Sequence, residues 1–155
     1  MDIKIRKFEA GDMRQVLCLC REVREYHRQI LDGYFLPQDD CLEETLFRKA
    51  LENGNFMCFV AAADGDVCGY LLAEHRNAPW LEKPEIGYIH NFGVAEMHQG
   101  RGTGKMLMDA FYQECKRLGI QEIKFGVFNK NKKACRFYET YGFVPQEQKM
   151  SLFVK

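Results

Sequence analysis

The segment HQGRGTGKMLMDAF, residues 98–111, decides how the fold of this chain is interpreted. Three glycines alternate with Arg101 and Thr103, Lys105 follows, and the next residues repeat apolar side chains with the period of a helix. The first turn of a helix has N–H groups without intrahelical partners and the positive end of the helix dipole. Because glycines allow a phosphate to approach those groups closely, the segment predicts an anion site at the start of a helix.

Two familiar phosphate-binding motifs do not fit this segment. The P-loop requires a glycine five residues before its Gly-Lys pair and a hydroxyl residue after it, where this chain has Gln99 and Met106. The dinucleotide fingerprint requires a third glycine at a position that Lys105 occupies. The remaining interpretations are a phosphate site of another kind and a glycine-rich connection without a ligand.

The residues around the segment alternate between strand and helix patterns. Residues 85–128 predict a strand, a helix and a second strand, and such a crossover makes the two strands parallel. Further strands are expected at 2–8, 55–63, 67–76 and once or twice within 143–155, and further helices near 13–23, at 40–53 and at 131–141. We therefore predict one mixed α/β (α+β) domain over residues 1–155. Its mostly antiparallel sheet of six to seven strands would contain a central parallel pair and be flanked by about four helices.

The composition argues against several other classes of protein. Lysine plus arginine and aspartate plus glutamate number 22 each, so no net charge draws the chain to nucleic acid or an anionic membrane. No apolar run reaches the roughly 20 residues of a membrane span and the start has no secretory pattern, so we expect a cytoplasmic protein. The seven cysteines include no C-x-x-C pair, which is typical of free thiols and not of a disulfide framework or a zinc site.

Gln99-Gly100-Arg101-Gly102-Thr103-Gly104 resembles the Q/R-x-x-G-x-G/A signature of the GNAT superfamily of N-acetyltransferases. The resemblance extends to Phe92-Gly93-Val94 and to an Asn-x-x-Ala-x-x-x-Tyr-x-x-x-Gly-Phe pattern at 131–143. It covers the order of elements over nearly the whole chain, and the specific motifs lie in the last two-fifths. It implies a GNAT-type fold and transfer of an acetyl group from acetyl-CoA to a primary amine of a small molecule or peptide.

The resemblance also implies which residues hold acetyl-CoA. Backbone N–H groups of the glycine segment would surround the pyrophosphate, and its basic side chains would add charge. The pantetheine arm would enter between the strand ending at Val94 and the one beginning near Gln121. The expected set is Phe92, Val94, Gln99, Gly100, Arg101, Gly102, Thr103, Gly104, Lys105, Asn129 and Asn131. Lys132 or Lys133 would meet the nucleotide phosphate, or else belong to a solvated helix face.

Attack of an amine on a thioester requires proton transfer at two places, and the first is the sulfur. The resemblance implies a tyrosine of the last helix as the proton donor there, and the pattern places Tyr138 at that position. The alternative is a tyrosine of an amphipathic helix that packs in the core with its hydroxyl at the rim.

The second place is the amine. An alkylammonium with a pKa near 10.4 is neutral only about once in 10³ to 10⁴ molecules at pH 7, so a base is expected. His90 lies two residues before Phe92, near the position where some members of the family carry a glutamate, and the ordinary pKa of histidine suits the role. The alternative is a hydrogen-bonded strand histidine. Tyr88, on the same face of that strand, would position a water, and Glu74 and Glu85 are further candidates for the base.

Residues 30–47 link the first two helices and, in the resembled family, line the acceptor cleft. The segment has five acids and an adjacent aromatic pair, without lysine or arginine: Asp32, Asp39, Asp40, Glu43, Glu44, Tyr34 and Phe35. Acids attract cations, and aromatic rings cover alkyl chains or contact ammonium groups, so we expect a cationic acceptor. The alternative is that Asp40 and Glu43 serve the second helix as N-cap and first-turn acid.

Two alternatives to an acetyltransferase remain at this stage. A succinyl- or propionyl-CoA donor would use the same mechanism with a roomier pocket beside Val94, and a CoA-binding sensor would have the fold without turnover. A homodimer is compatible with the sequence. His27 and His75 match no metal-ligand spacing, so no metal is expected. Trp80 either forms a wall of the acceptor site or anchors a long hairpin.

Overall fold

The computed structural model describes residues 2–36 and 40–155. In that part of the chain, five strands form one sheet and four α-helices flank it. The strands are β1 Ile3–Lys7, β2 Phe56–Ala63, β3 Asp66–Asn77, β4 Glu85–Val94 and β5 Glu122–Lys124. The helices are α1 Met13–Ile30, α2 Cys41–Glu52, α3 Thr103–Leu118 and α4 Lys132–Tyr141, with short 3-10 turns at Ala10–Asp12 and Glu96–His98.

The strands lie in the sheet in the order in which they occur along the chain. β1 to β4 pair antiparallel, and β4 pairs with β5 in parallel through α3, so the predicted parallel pair is confirmed. Asp64 and Gly65 join β2 to β3 and both have positive φ, of 51° and 88°. A two-residue hairpin turn of this kind requires positive φ at both positions, which glycine and aspartate tolerate.

The core has two layers, one on each face of the sheet. α1 and α2 cover the first face, where Val16, Phe47, Val60 and Tyr70 are fully buried. α3 and α4 cover the second face, where Phe111 is fully buried with the apolar side chains around it. Because β3 lies in the middle of the sheet under both layers, its sequence is a continuous apolar run instead of an alternation.

The predicted count of six to seven strands is wrong. β5 ends at Lys124, whereas the sequence predicts a strand over residues 121–128. Beyond the pair Tyr88 and Lys124, β4 and β5 diverge, so the residues after Lys124 have no β4 backbone to pair with. Residues 143–155 form no strand. Residues 144–155 are all exposed, so no layer covers their apolar side chains, and Pro145 has no N–H to donate to a ladder.

Candidate active site

A large cleft opens where β4 and β5 separate. Parallel pairing is confined to three residue pairs, from Ile86 with Glu122 to Tyr88 with Lys124, while β4 continues to Val94. The glycine segment, α4 and one side of α1 complete the walls. The cleft has a volume of about 1870 Å³, larger than the roughly 300–1,000 Å³ of a pocket for one ligand. It therefore has room for more than one small ligand.

Gly102 forms the N-cap of α3 with a left-handed backbone, at φ 85°, and Gly100 has φ 72°. Side chains other than glycine adopt these angles only with strain, which explains the alternation of glycines. The first helical hydrogen bond runs from Met106 N–H to the Gly102 carbonyl at 3.0 Å. The N–H groups of the preceding residues in the first turn therefore have no intrahelical partner.

Gly104 allows the start of α3 to pack closely against its neighbours. A Cβ at this position would lie 3.3 Å from the ring of Phe137 on α4 and 3.4 Å from the ring of Phe92 on β4. The third glycine therefore sets the distance between the helix N-terminus and the cleft wall, whereas the first two allow the left-handed turn.

The polar side chains around the glycine segment are held by one another. Gln99 Nε2 donates to the Val94 carbonyl at 2.9 Å, and Lys133 Nζ donates to the side-chain oxygen of Gln99. Lys105 Nζ donates to Asp109 at 2.7 Å. Lys133 thus reaches the glycine segment, which neither of its predicted roles included.

Tyr138 lies on α4 and lines the cleft. Its ring packs against Phe125 with centroids 4.1 Å apart, and no hydrogen-bond partner for its hydroxyl is present among residues 2–36 and 40–155. Burial raises the pKa of Tyr138, so the phenol is protonated at neutral pH. The hydroxyl is therefore available as a proton donor.

His90 occupies a β-bulge of β4. Leu72 of β3 pairs with Asn91 and Ala73 pairs with Ile89, which leaves His90 as the extra residue. Its imidazole Nε2 lies 2.7 Å from Oε2 of Glu74 on β3. Its side chain is only 15% exposed and lines the cleft.

The neighbours of His90 hold its ring in place. Phe56 stacks on it with an interplanar angle of 12° and a centroid distance of 5.6 Å, and the Tyr88 ring meets it edge-on at 5.1 Å. Arg76 donates to Glu74 at 2.9 Å and lies 4.2 Å from the Tyr88 ring. Burial would raise the pKa of Glu74, but the hydrogen bonds from His90 and Arg76 outweigh it and lower that pKa.

Comparison with known proteins is consistent with this geometry. The model of the Acetyltransferase (GNAT) family matches residues 23–143. The chain belongs to this family. An N-acetyltransferase of Bacillus subtilis named YycN is 27% identical over 125 residues, which cover 77% of this chain and 78% of that protein. The GNAT resemblance and the assignment to the acyltransferases are thus confirmed.

Solved structures show the same fold as this GNAT chain. A mutant of the BH1408 protein of Bacillus halodurans has a TM-score of 0.89 at 23% identity and is matched over 98% of this chain and 99% of that one. The structure of AAC(6')-Iy with the bisubstrate analogue CoA-S-monomethyl-acetylneamine has a TM-score of 0.74 at 18% identity, over 100% of this chain and 99% of that one. At these identities the likeness establishes the mixed α/β fold.

The cleft of the GNAT chain contains many, but not all, of the residues predicted for the site. Those that line it are Phe92, Val94, Gln99, Gly100, Gly102, Gly104, Lys105, Asn131, His90 and Tyr138. Those outside its lining are Arg101, Thr103, Asn129, Tyr88, Asp32, Tyr34 and Phe35. Thr103 is buried and its hydroxyl donates to the His98 carbonyl at 3.3 Å, so only its backbone remains for a ligand.

Asn131 is buried and its side chain is used within the protein. Its Oδ1 accepts from the Ala134 N–H at 3.2 Å and caps α4, and its Nδ2 lies 3.4 Å from Nε2 of His27 on α1. The capping role is one that an asparagine just before a helix predicts. The contact with His27 carries no sequence signal because 104 residues separate the two.

The segment between α1 and α2 only partly matches the prediction of an acidic rim. Asp40 is at the N-cap position of α2 but its side chain does not cap the helix, so this part of the alternative interpretation is wrong. Its carboxylate pairs with Arg21 and Arg24, and Arg24 also binds Glu43 at 2.6 Å. These acids join α1 to α2 and their charge is neutralised there. Asp39 lies outside the described residues.

Asp32 and the aromatic pair lie near one end of the cleft. Asp32 has φ 51°, and its carboxylate is 3.6 Å from Lys130 and 88% exposed. The rings of Tyr34 and Phe35 contact Phe128, which lines the cleft, with centroids 6.3 and 5.7 Å away. The pair therefore supports the cleft wall without being part of its lining.

Sequence reasoning missed several residues that line the cleft. They are Glu22, Glu25 and Tyr26 on α1, Phe125, Val127 and Phe128 after β5, and Phe137 on α4. The α1 residues belong to the polar side of an amphipathic helix, which gave no reason to single them out. The residues after β5 were expected beside the pantetheine arm only as part of a strand over residues 121–128, and none of them was singled out.

Two further predictions concern membranes and metals. In residues 2–36 and 40–155, the structure has no helix whose length and apolar character would suit a membrane span. The same residues contain no cluster of three or more histidine, cysteine, aspartate or glutamate side chains arranged to bind a metal ion.

Proposed function

We propose that this GNAT protein transfers an acetyl group from acetyl-CoA to a primary amine of a small molecule or peptide, by direct attack of the amine on the thioester. The observation that carries the proposal is the wedge between β4 and β5. It opens into the same cleft as the N-terminus of α3, the hydroxyl of Tyr138 and the imidazole of His90. One cleft thus combines an anion-binding helix end, an unpaired strand edge, a proton donor and a base.

Several features of the cleft fit acetyl-CoA, which supplies the activated acyl group. The glycine turn leaves the first N–H groups of α3 without intrahelical partners, and Lys105, which is paired with Asp109, lies beside them. Among the described residues, β4 from residue 89 to 94 has no strand partner on the β5 side, so its backbone is available to pair with the amides of the pantetheine arm. The Val94 carbonyl accepts from Gln99 and retains a second lone pair.

The AAC(6')-Iy structure, with its CoA-containing analogue, supports this donor. The Acetyltransferase name of the matched family supports an acetyl group as the acyl group that is moved.

The chain's own residues account for the protons. One proton of the acceptor ammonium passes to the imidazole of His90 and then to water. As the bond between carbon and nitrogen forms and the bond between carbon and sulfur breaks, Tyr138 donates its proton to the sulfur and is reprotonated by the second proton that the nitrogen loses. The products are the acetamide, the CoA thiol and one released proton. Backbone N–H groups at the end of β4 would stabilise the negative charge that develops on the thioester oxygen.

The acceptor proposed for the cleft is a cationic amine, polyamine-like, aminoglycoside-like or a basic peptide. Glu22 and Glu25 line the cleft from α1, and Glu25 is also paired with Arg28. Asp32 adds an exposed carboxylate, and Tyr34 and Phe35 support the nearby wall. The neamine part of the analogue bound by AAC(6')-Iy is an acceptor of this class and supports the proposal.

Two measurements on the purified protein test the proposed function. A rise in Tm with acetyl-CoA reports binding, and release of free thiol over a panel of amines reports transfer. We expect both, with thiol release strictly dependent on an amine. A larger Tm shift and faster thiol release with succinyl-CoA or propionyl-CoA would show that this acyl-CoA, and not acetyl-CoA, is the donor. Binding of acetyl-CoA without thiol release on any acceptor would overturn the proposed enzymatic activity and would indicate a CoA sensor.

A further inference from the structure

Glu74 and His90 form a carboxylate and imidazole pair at the edge of the cleft. Nε2 of His90 lies 2.7 Å from Oε2 of Glu74, which also accepts from Arg76. The lowered pKa of Glu74 makes it a carboxylate at neutral pH. Because a carboxylate only accepts hydrogen bonds, Nε2 carries the hydrogen, and the lone pair of the neutral ring is on Nδ1. Among the described residues, no hydrogen-bond partner lies at Nδ1.

The pair is also shielded from water and rigid. The side chains of His90 and Glu74 are 15% and 22% exposed, so their electrostatic interaction is weakly screened. The stacked ring of Phe56 and the edge of the Tyr88 ring pack against the imidazole and restrict its rotation. The β-bulge turns His90 toward the cleft while Glu74 comes from the neighbouring strand.

We propose that Glu74 is a positioning residue for the acetyl transfer: its carboxylate orients His90, keeps the hydrogen on Nε2, and strengthens Nδ1 as acceptor of the proton that the amine loses. This inference rests on the proposed function, in which His90 is the base. Glu74 does not contact either substrate and acts through the imidazole alone.

Other charged side chains lie around the pair of His90 and Glu74, and their charges and partners are known. Arg76 shares the Glu74 oxygen, and its positive charge opposes protonation of His90. Lys49 of α2 lies 5.4 Å from the centroid of the Phe56 ring, on which the imidazole stacks. Arg24 of α1 is neutralised by Glu43 and Asp40. Tyr88 contributes an uncharged ring. Glu74 and Arg76 therefore place opposite charges next to the imidazole.

The test is the pH dependence of kcat/KM for two variants. Activity rises with pH as the base loses its proton. Glu74→Gln removes the negative charge, so the rising limb is expected to move to lower pH, and kcat to fall by less than the roughly 10²- to 10⁴-fold that a general base contributes. Arg76→Gln removes the positive charge, so the limb is expected to move to higher pH. A purely structural role of Glu74 would lower activity or Tm without moving the limb and would overturn the inference.

A matched control lies in the same pair of strands. Glu85 binds His75 at 2.5 Å in a second pair of the same kind, and neither residue lines the cleft. Glu85→Gln is expected to keep the rising limb of the pH profile of kcat/KM at its wild-type position. If Glu74→Gln fails to fold, the test depends on Arg76→Gln. In that variant, a rising limb of the pH profile at the wild-type position would overturn the inference.

His90→Gln separates failure of the inference from failure of the proposed function. If it keeps the wild-type limb, the base is elsewhere and both the role of His90 and that of Glu74 are wrong. If the limb is lost in His90→Gln but unmoved in Glu74→Gln and Arg76→Gln, only the inference about Glu74 is wrong. Acetyl-CoA binding, measured as the shift in Tm, is expected to be retained in every variant.

Discussion

The rings of Phe92 and Tyr138 pack with their centroids 6.2 Å apart and join the end of β4 to α4 across the cleft. Phe92 belongs to the part of β4 whose backbone is proposed to bind the pantetheine arm, and Tyr138 carries the proposed proton donor. Because Phe137 also contacts Phe92, at 5.6 Å, two successive residues of α4 fix the position of the hydroxyl relative to the strand. The distance between donor and strand is therefore a property of packed aromatic rings instead of a flexible loop.

Tyr138→Phe is expected to lower kcat by roughly 10²- to 10⁴-fold and to leave the Kd for acetyl-CoA nearly unchanged. Phenylalanine keeps the ring contacts with Phe125 and Phe92 and removes only the hydroxyl. Steady-state kinetics and a thermal-shift titration measure the two quantities. An unchanged kcat in Tyr138→Phe would remove that residue from the mechanism.

Gly93→Ala is expected to destabilise the fold by about 1–3 kcal/mol through overpacking. A Cβ at Gly93 would lie 2.8 Å from Cγ2 of Val23 and 3.0 Å from Cε1 of Tyr70, whose side chain is fully buried. Urea unfolding measures the change. Gly54→Ala is the control because no atom lies within 4 Å of its added Cβ, and a change within about 0.5 kcal/mol is expected there. Equal stability of the two variants would contradict the close packing of β4 against α1.

Asp12 is expected to make the stability of the protein sensitive to acid. Its carboxylate accepts two hydrogen bonds from Arg6, at 2.7 and 2.8 Å, and one from the Glu9 N–H at 2.9 Å. These contacts, above all those with Arg6, hold the pKa of Asp12 below its ordinary value. A lowered pKa in the folded state stabilises the protein above the unfolded pKa of about 3.9, and the contribution is lost as the pH falls through the folded value.

Asp12→Asn is accordingly expected to lose about 1–3 kcal/mol at pH 7 and to differ less from the wild type at pH 2 to 3. Urea unfolding across this pH range measures the difference. Asp2→Asn, at an exposed aspartate, serves as control and is expected to follow the wild type at every pH. A difference between Asp12→Asn and the wild type that does not change with pH would refute the ionic contribution.

The kcat/KM of a cationic acceptor is expected to fall as ionic strength rises, because salt screens attraction to the acids around the cleft. Asp32→Asn is expected to raise the KM of such an acceptor by no more than about fivefold, since an exposed charge pair contributes roughly 0.2–1 kcal/mol. Asp64→Asn is the matched control, because Asp64 has the same φ of 51° and lies in the hairpin between β2 and β3. Faster turnover of acidic or uncharged acceptors, or an unchanged KM after substitution of both Asp32 and Asp39, would show that the segment does not select cations.

The glycine segment was predictable because its determinants are local. The left-handed turn at Gly100 and Gly102 depends on the absence of a side chain at those positions, and the helix that follows depends on the apolar period. The same holds for the turn at Asp64 and Gly65. In each case the residues that determine the conformation lie within a few positions of one another.

The acids of the segment between α1 and α2 show where local reasoning failed. Asp40 occupies the expected N-cap position, but two arginines of α1, 16 and 19 residues earlier in the chain, take its carboxylate. An ion pair with Arg21 and Arg24 replaces the cap because α1 lies against α2 in the fold. No pattern within the segment indicates that contact.

The sequence by itself determined the order of helices and strands, the parallel pair around α3, the glycine turn and the family. These depend on backbone preferences and on periodicity over a few residues. Only the tertiary structure decided that β5 stops at Lys124, that residues 143–155 remain outside the sheet, and that the bulge brings His90 to Glu74. The physical reason is that a strand exists only where a partner supplies its hydrogen bonds, and a side chain acquires a role only from neighbours that folding brings together.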